Sequence, residues 1–122
     1  MRSIVKERSF KFSVRIIRLY TYLTKDKKEY VLSKQLLRCG TSIGANIREA
    51  LNGESKMDFV HKFAIAQKEC DETLYWIELL KEAEILNQKE FDSIYPEAEE
   101  LLKMIRSIIM KTKTNLKKGS AT

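Results

Sequence analysis

The sequence predicts an all-α domain, an antiparallel up-down-up-down four-helix bundle, and three observations predict it. Its 122 residues contain one proline and four glycines, too few for the turns of a sheet protein. Apolar residues recur at helical spacing through four successive segments. The connections between those segments are short and carry capping residues, which packs neighbouring helices antiparallel. The length suits one domain, 1–122, around one core.

The first helix is predicted over about 7–24. Phe10, Val14, Ile17 and Thr21 make one stripe along it, and Phe12, Ile16, Leu19 and Leu23 make a second on the far side. After the polar connection TKDKKE, a second helix runs over about 30–51, with Leu32, Leu36, Cys39, Ile43 and Ala50 facing inward. Asn52-Gly53 predicts a left-handed stop, and Ser55 with Asp58 resembles a capping box in which Asp replaces Glu. The third helix, about 56–86, has Phe59, Phe63, Ala66, Cys70, Leu74 and Ile77 in front. Its back carries Ile65, Trp76, Leu79 and Ala83. Asn87 and Glu90 cap the fourth helix, about 88–116, whose inward residues are Phe91, Ala98, Leu101, Leu102, Ile105, Ile109 and Leu116. Pro96 predicts a kink there or a short separate turn before it. Residues 117–122 read as a frayed tail.

Only one apolar stripe per helix is needed to fill a monomeric bundle. The first and third helices have two, so the sequence predicts a homo-oligomer that covers the spare ones: Phe12, Ile16, Leu19 and Leu23 on one helix, Ile65, Trp76, Leu79 and Ala83 on the other.

Composition excludes several classes. With 43% hydrophobic residues the chain has enough apolar surface to fold. No apolar run approaches the roughly 20 residues of a membrane span, and MRSIVKERSFKF lacks the apolar segment of a signal peptide. The expected location is cytoplasmic, with no membrane partner and with both cysteines reduced.

The stretch LLRCGTSIGANIREA contains Gly40 and Gly44 inside a predicted helix. It fails the phosphate-loop pattern, because three residues rather than four separate the glycines and Ala45-Asn46 follows the second. Flanking Arg38 and Arg48 exclude a membrane dimerisation motif. Each mid-helix glycine costs roughly 1 kcal/mol relative to alanine, which close contact with a neighbour offsets. Gly40 and Gly44, with Ser33 on the same side, therefore predict close helix packing, and Asn46 on its flank is expected to bond a neighbouring helix.

Together, RCGTSIGANIREA and FVHKFAIAQKECDETLYWIELL resemble the four-helix bundle family encoded within intervening sequences of 23S ribosomal RNA genes, often labelled the S23 ribosomal protein family. The chain is also similar to the accessory variability determinant protein of diversity-generating retroelements. The likeness covers about residues 7–115, with Ser42-Ile43-Gly44-Ala45-Asn46-Ile47 at its centre. It implies a ring-shaped homopentamer. For the retroelement relatives it implies binding of nucleic acid and of a reverse transcriptase; for the rRNA-associated members it implies no settled activity.

No catalytic constellation is visible, so an enzyme is not expected. The single histidine, His61, has only Asp58 at an i, i+3 spacing, too few ligands for a metal, and no cofactor is expected. Cys39 and Cys70 read as small core thiols. Glu69, Asp71, Glu72, Glu78 and Glu82 read as a solvated or inter-subunit face.

Charge offers more. Residues 1–48 hold twelve Lys/Arg against three acids, 49–100 hold five against fourteen, and 101–122 hold six and no acid, within a net +6. Arg8, Lys11, Arg15 and Arg18 form a basic wedge between the two stripes of the first helix. Lys25, Lys27 and Lys28 extend it, Lys111, Lys113, Lys117 and Lys118 add charge from the C-terminus, and Tyr20 and Tyr22 are candidates for base stacking. The expected partner is structured RNA or DNA. The competing expectation is that the acids of the third helix neutralise the wedge across a subunit boundary, leaving a protein-interaction scaffold.

Overall fold

The computed structural model describes residues 3–120, excluding the side chain of Ser120. Met1 and Arg2 of the N-terminal stretch, and Ala121 and Thr122 of the expected tail, lie outside the described residues. Four helices follow one another, α1 (Ile4–Lys25), α2 (Leu32–Leu51), α3 (Lys56–Glu82) and α4 (Gln88–Ser120). Each packs on its neighbours in the order α1, α2, α3, α4 and back to α1, an antiparallel four-helix bundle. The α1–α4 seam is the loosest of the four.

Local chemistry sets most of the boundaries. Ser3 caps α1 by accepting from the Lys6 amide, which starts the helix earlier than periodicity predicts. α2 has no side-chain cap at its own N-cap, Val31. Instead the Glu29 carboxylate accepts from the backbone N–H groups of Val31, Leu32 and Ser33, at 3.1, 3.0 and 2.6 Å. The Ser55 hydroxyl caps α3 through the Asp58 amide. Asn87 and Glu90 exchange side chain for backbone at 2.8 Å in both directions, a full capping box for α4.

Three expected terminations change. Neither Asn52 nor Gly53 has positive φ. A Cβ on Gly53 would displace the Asp58 carboxylate, 2.5 Å away, and press on the Ala50 carbonyl oxygen at 3.2 Å. α3 ends at Glu82 rather than near 86, because Glu84 turns left-handed (φ 61°) and the Ile85 and Leu86 amides close on the Leu80 carbonyl. The reversal buries Leu86 in the core. α4 passes through Pro96 without a separate first turn, and it continues to Ser120 through the first part of the expected tail.

The core and the residues packed against it contain the predicted inward faces of α2, α3 and α4 except Leu116, which lies half-buried beyond Ile109, the last core residue of α4; α1 corrects its assignment. Phe12, Ile16 and Leu23, expected at an interface between copies, are 1%, 0% and 0% exposed inside the bundle, and Leu19 packs half-buried against them. The stripe left outside is Phe10, Val14, Ile17 and Thr21, with Phe10 58% and Ile17 49% exposed. With Val5 included, the buried stripe runs nearly the whole helix, while the other ends in a polar threonine. On α3, Ile65 and Leu79 stay half-buried at the back, and Trp76 leans on the core while its indole N–H reaches Glu72 at 3.2 Å. Ala83 is exposed just past the helix end.

Gly40 and Gly44 let α1 approach closely. A Cβ on Gly40 would lie 2.9 Å from Ile16 Cγ1 and Cγ2; one on Gly44 would meet Ser13 Oγ and the Ser9 carbonyl oxygen at 3.3 Å. Asn46 differs from expectation. Its amide donates to the Ser42 carbonyl of its own helix at 2.8 Å, because that i−4 acceptor lies within reach without crossing to a neighbour.

Candidate nucleic-acid interface

The basic wedge occupies the side of α1 that turns towards α4, between the buried stripe and the exposed one. Spacing of three and four residues puts Arg8, Lys11, Arg15 and Arg18 along one line of the helix. α4 answers that line with its acidic first half. Arg8 pairs with Glu100. Arg15 is held harder: Nη1 donates to Glu97 at 2.5 Å and to the Ser93 carbonyl at 2.8 Å, and Nη2 donates to Ser93 Oγ at 2.7 Å. Lys11 and Arg18 are exposed and have no acidic partner among the described residues. The wedge is half neutralised from within its own chain.

Within the chain the neutralising acids are on α4, whereas the sequence pointed to the third helix of a neighbouring copy. The α3 acids are engaged elsewhere. Glu69 and Glu72 pair with Arg38 of α2, and Asp71 stands 3.9 Å from Arg106. Glu78 accepts from the Tyr95 hydroxyl at 2.7 Å; burial and that carboxylate push the Tyr95 phenol up to about 12. Glu82 is exposed. Exposed ion pairs of this kind contribute roughly 0–1 kcal/mol each, so Glu97 and Glu100 matter more for the potential of the face than for stability. Their composition signal was visible: α4 is acidic up to Glu100 and acid-free beyond it.

The flanking cations separate in space. Lys25, Lys27 and Lys28 stand exposed where α1 turns towards α2, with Lys28 in a left-handed conformation (φ 57°). Lys27 Nζ lies 5.9 Å from the centre of the Tyr22 ring. Lys111, Lys113, Lys117 and Lys118 are at the opposite end of the bundle, where Thr112 and Asn115 border the α2–α3 connection. Contacts of Arg8 with Glu100 and of Arg15 with Ser93 set an antiparallel register, in which the acid-free end of α4 runs past the start of α1. One continuous patch becomes two cationic ends joined by the α1–α4 seam.

Along that seam are two depressions. Arg8, Lys11, Phe12, Glu97, Glu100 and Leu101 line the first. The second is flanked by Arg15, Arg18 and Lys89 over Leu19 and Ile94, with Tyr22, Glu90 and Ser93 on its walls. Tyr20 is half-buried and does not line it.

The remaining reactive groups sit apart from this face. Cys39 and Cys70 are buried, and burial pushes the Cys39 thiol up to about 11 and the Cys70 thiol up to about 12. Both are protonated near neutral pH and poor nucleophiles. The Cys70 thiol donates to the Ala98 carbonyl at 3.3 Å, and Thr73 Oγ1 donates to Cys39 Sγ at 3.3 Å. His61 is exposed on the outer side of α3. Among the described residues, no helix is long and apolar enough to cross a membrane.

The sequence model of the 23S rRNA-intervening sequence protein family matches residues 1–107. A crystal structure from Bacteroides thetaiotaomicron, of a protein of unknown function from the S23 ribosomal protein family, is 49% identical in sequence. The match covers 87% of this chain and 98% of that one, with a TM-score of 0.86. None of the curated proteins is similar to this chain.

Proposed function

This chain belongs to the 23S rRNA-intervening sequence protein family, and from that premise we propose that it is a non-enzymatic, self-assembling protein that binds structured RNA or DNA with low sequence specificity. The observation that carries the reading is the cationic surface left after internal pairing. Lys11 and Arg18 on α1 have no acidic partner among the described residues, and of the six Lys/Arg that follow Glu100 on α4 only Arg106 faces an acid, Asp71. Such charges bind phosphates without reading bases. Self-assembly repeats the surface, and linked weak sites gain avidity when one polyanion spans several. The apolar stripe Phe10, Val14 and Ile17, with Ile65 and Leu79 at the back of α3, supplies area for contacts between copies. Five subunits are favoured by the family resemblance.

Titrating a labelled RNA or DNA hairpin across a salt series tests this. Log affinity is expected to fall linearly with log salt, and the Lys11→Ala/Arg18→Ala variant to lower both affinity and slope. A wild type that binds nothing at about 50 mM salt overturns the reading. Light scattering tests assembly, with Phe10→Asp and Leu79→Asp expected to weaken it by placing a charge in an apolar contact. A stable monomer at micromolar concentration refutes the assembly.

The pairing of Arg8 and Arg15 with Glu100 and Glu97 favours a second reading, a protein-interaction scaffold without nucleic acid. Its partner would be a protein such as the reverse transcriptase that the retroelement resemblance suggests. The same titration separates the two readings.

A further inference from the structure

Resting on the nucleic-acid reading, we infer that the depression between the C-terminal half of α1 and the first turns of α4 is a binding site for an unpaired nucleotide of a single-stranded RNA or DNA segment. The site is lined by Arg15, Arg18, Leu19, Tyr22, Lys89, Glu90, Ser93 and Ile94, and it lies on the loosest seam of the bundle. Its chemistry is divided. Leu19 and Ile94 give it an apolar floor, Tyr22 an aromatic wall, and Arg18 and Lys89 exposed cations on opposite helices.

The polar residues of the site are already held in place. Arg15 is fixed by Ser93 and Glu97. The Glu90 carboxylate accepts from the Asn87 amide and, as a nearby acceptor, raises the pKa of the Tyr22 hydroxyl. The Tyr22 ring packs partly buried against the core, and Lys27 Nζ lies 5.9 Å from its centre. Arg18 and Lys89 have no ion-pair partner among the described residues and can meet the phosphate oxygens flanking a base.

An apolar floor with an aromatic wall gains nothing from a phosphate. A duplex presents phosphates outward and keeps its bases stacked inside, so it meets only the cationic rim. An unpaired nucleotide satisfies both parts at once: its base stacks on Tyr22 over Leu19 and Ile94, and its flanking phosphates reach Arg18 and Lys89. Affinity for a single strand should therefore exceed affinity for a duplex of equal length.

Fluorescence anisotropy at one low salt concentration compares labelled oligo-U and oligo-dT of about ten nucleotides with a fully paired duplex of that length. The single strands are expected to bind about tenfold or more tightly than the duplex, from one stacked base. Tyr22→Ala should lower single-strand affinity about ten- to hundredfold and leave duplex affinity unchanged, while Tyr22→Phe, which keeps the ring, retains it. Preference for RNA over DNA would assign the 2′-hydroxyl a role, and equal binding would assign it none; both support the site. Photocrosslinking of wild-type protein to an oligonucleotide carrying 5-iodouracil gives a readout independent of any variant, with the crosslink expected at Tyr22. Equal affinity for strand and duplex, or crosslinks only at other positions, overturns the site and leaves the broader reading intact. Loss of binding to every nucleic acid removes both.

Discussion

Helix α1 has two lateral seams, and they are built on opposite principles. Towards α2 it meets glycine: Ile16 lies where a Gly40 side chain would stand, and the Ser9 and Ser13 turn lies against Gly44. Towards α4 it meets Glu97, Glu100 and Ser93 through the long arms of Arg8 and Arg15. The first seam is close-packed and shape-specific, and a methylene added there has nowhere to go. The second is more loosely packed, held by exposed ion pairs of small energy. A helix built this way fixes its position on one side and leaves charged side chains exposed on the other.

Replacing Ile16 by Ala should have the largest effect, a loss of about 2–5 kcal/mol from a fully buried site that faces a glycine and cannot collapse. Denaturant unfolding should show that loss at every protein concentration. A loss that appears only through dissociation at low concentration would move Ile16 back to an interface between copies and break the contrast between the seams.

Gly44→Leu comes next. Overpacking against the Ser9 backbone should cost about 1–3 kcal/mol, although leucine is the better helix former. A raised melting temperature in thermal denaturation would mean that this seam has slack.

The close seam also depends on where α2 begins, which Glu29 decides. Removing its three backbone hydrogen bonds with Glu29→Ala should cost about 0.5–2 kcal/mol. Burial pulls the Glu29 carboxyl upward, but the amides of Leu32, Ser33 and Val31 hold it below its ordinary value of 4.5. A depressed folded pKa means that this stabilisation is complete above 4.5 and is lost as pH falls through the lower, folded value. Chemical denaturation of wild type and Glu29→Gln should therefore converge as pH drops below that range. A constant difference down to the acid limit would show that the carboxylate is not the cap.

The smallest stability change belongs to the open seam. Glu97→Gln with Glu100→Gln should alter stability by less than about 1 kcal/mol. The same pair should raise nucleic-acid affinity and steepen its salt dependence, because Arg8 and Arg15 are released and two repelling charges are gone. Unchanged binding would detach the wedge from nucleic acid.

Much of this was legible in the sequence. Ser55 and the Asn87–Glu90 box mark helix starts by local hydrogen bonding, and the inward residues of α2, α3 and α4 follow from period alone. Gly40 and Gly44 announced a close approach because mid-helix glycine is otherwise costly. The cap from Glu29 was missed because it reaches α2 from two residues before the N-cap. The early end of α3 was missed because Glu84 supplies the left-handed turn without a glycine to signal it.

By itself the sequence determined four amphipathic helices in one bundle, the two apolar stripes of α1 and the basic line between them, because each is a property of residues within a few turns of one another. The tertiary structure alone decided which stripe went inward. Phe10, Val14 and Ile17 are as apolar locally as Phe12, Ile16 and Leu19, and the choice fell to the stripe that met the core residues and the Gly40 hollow of α2. It also decided that, within the chain, α4 neutralises Arg8 and Arg15. An ion pair between residues 82 or 92 positions apart depends on helix order and register, which no local pattern encodes.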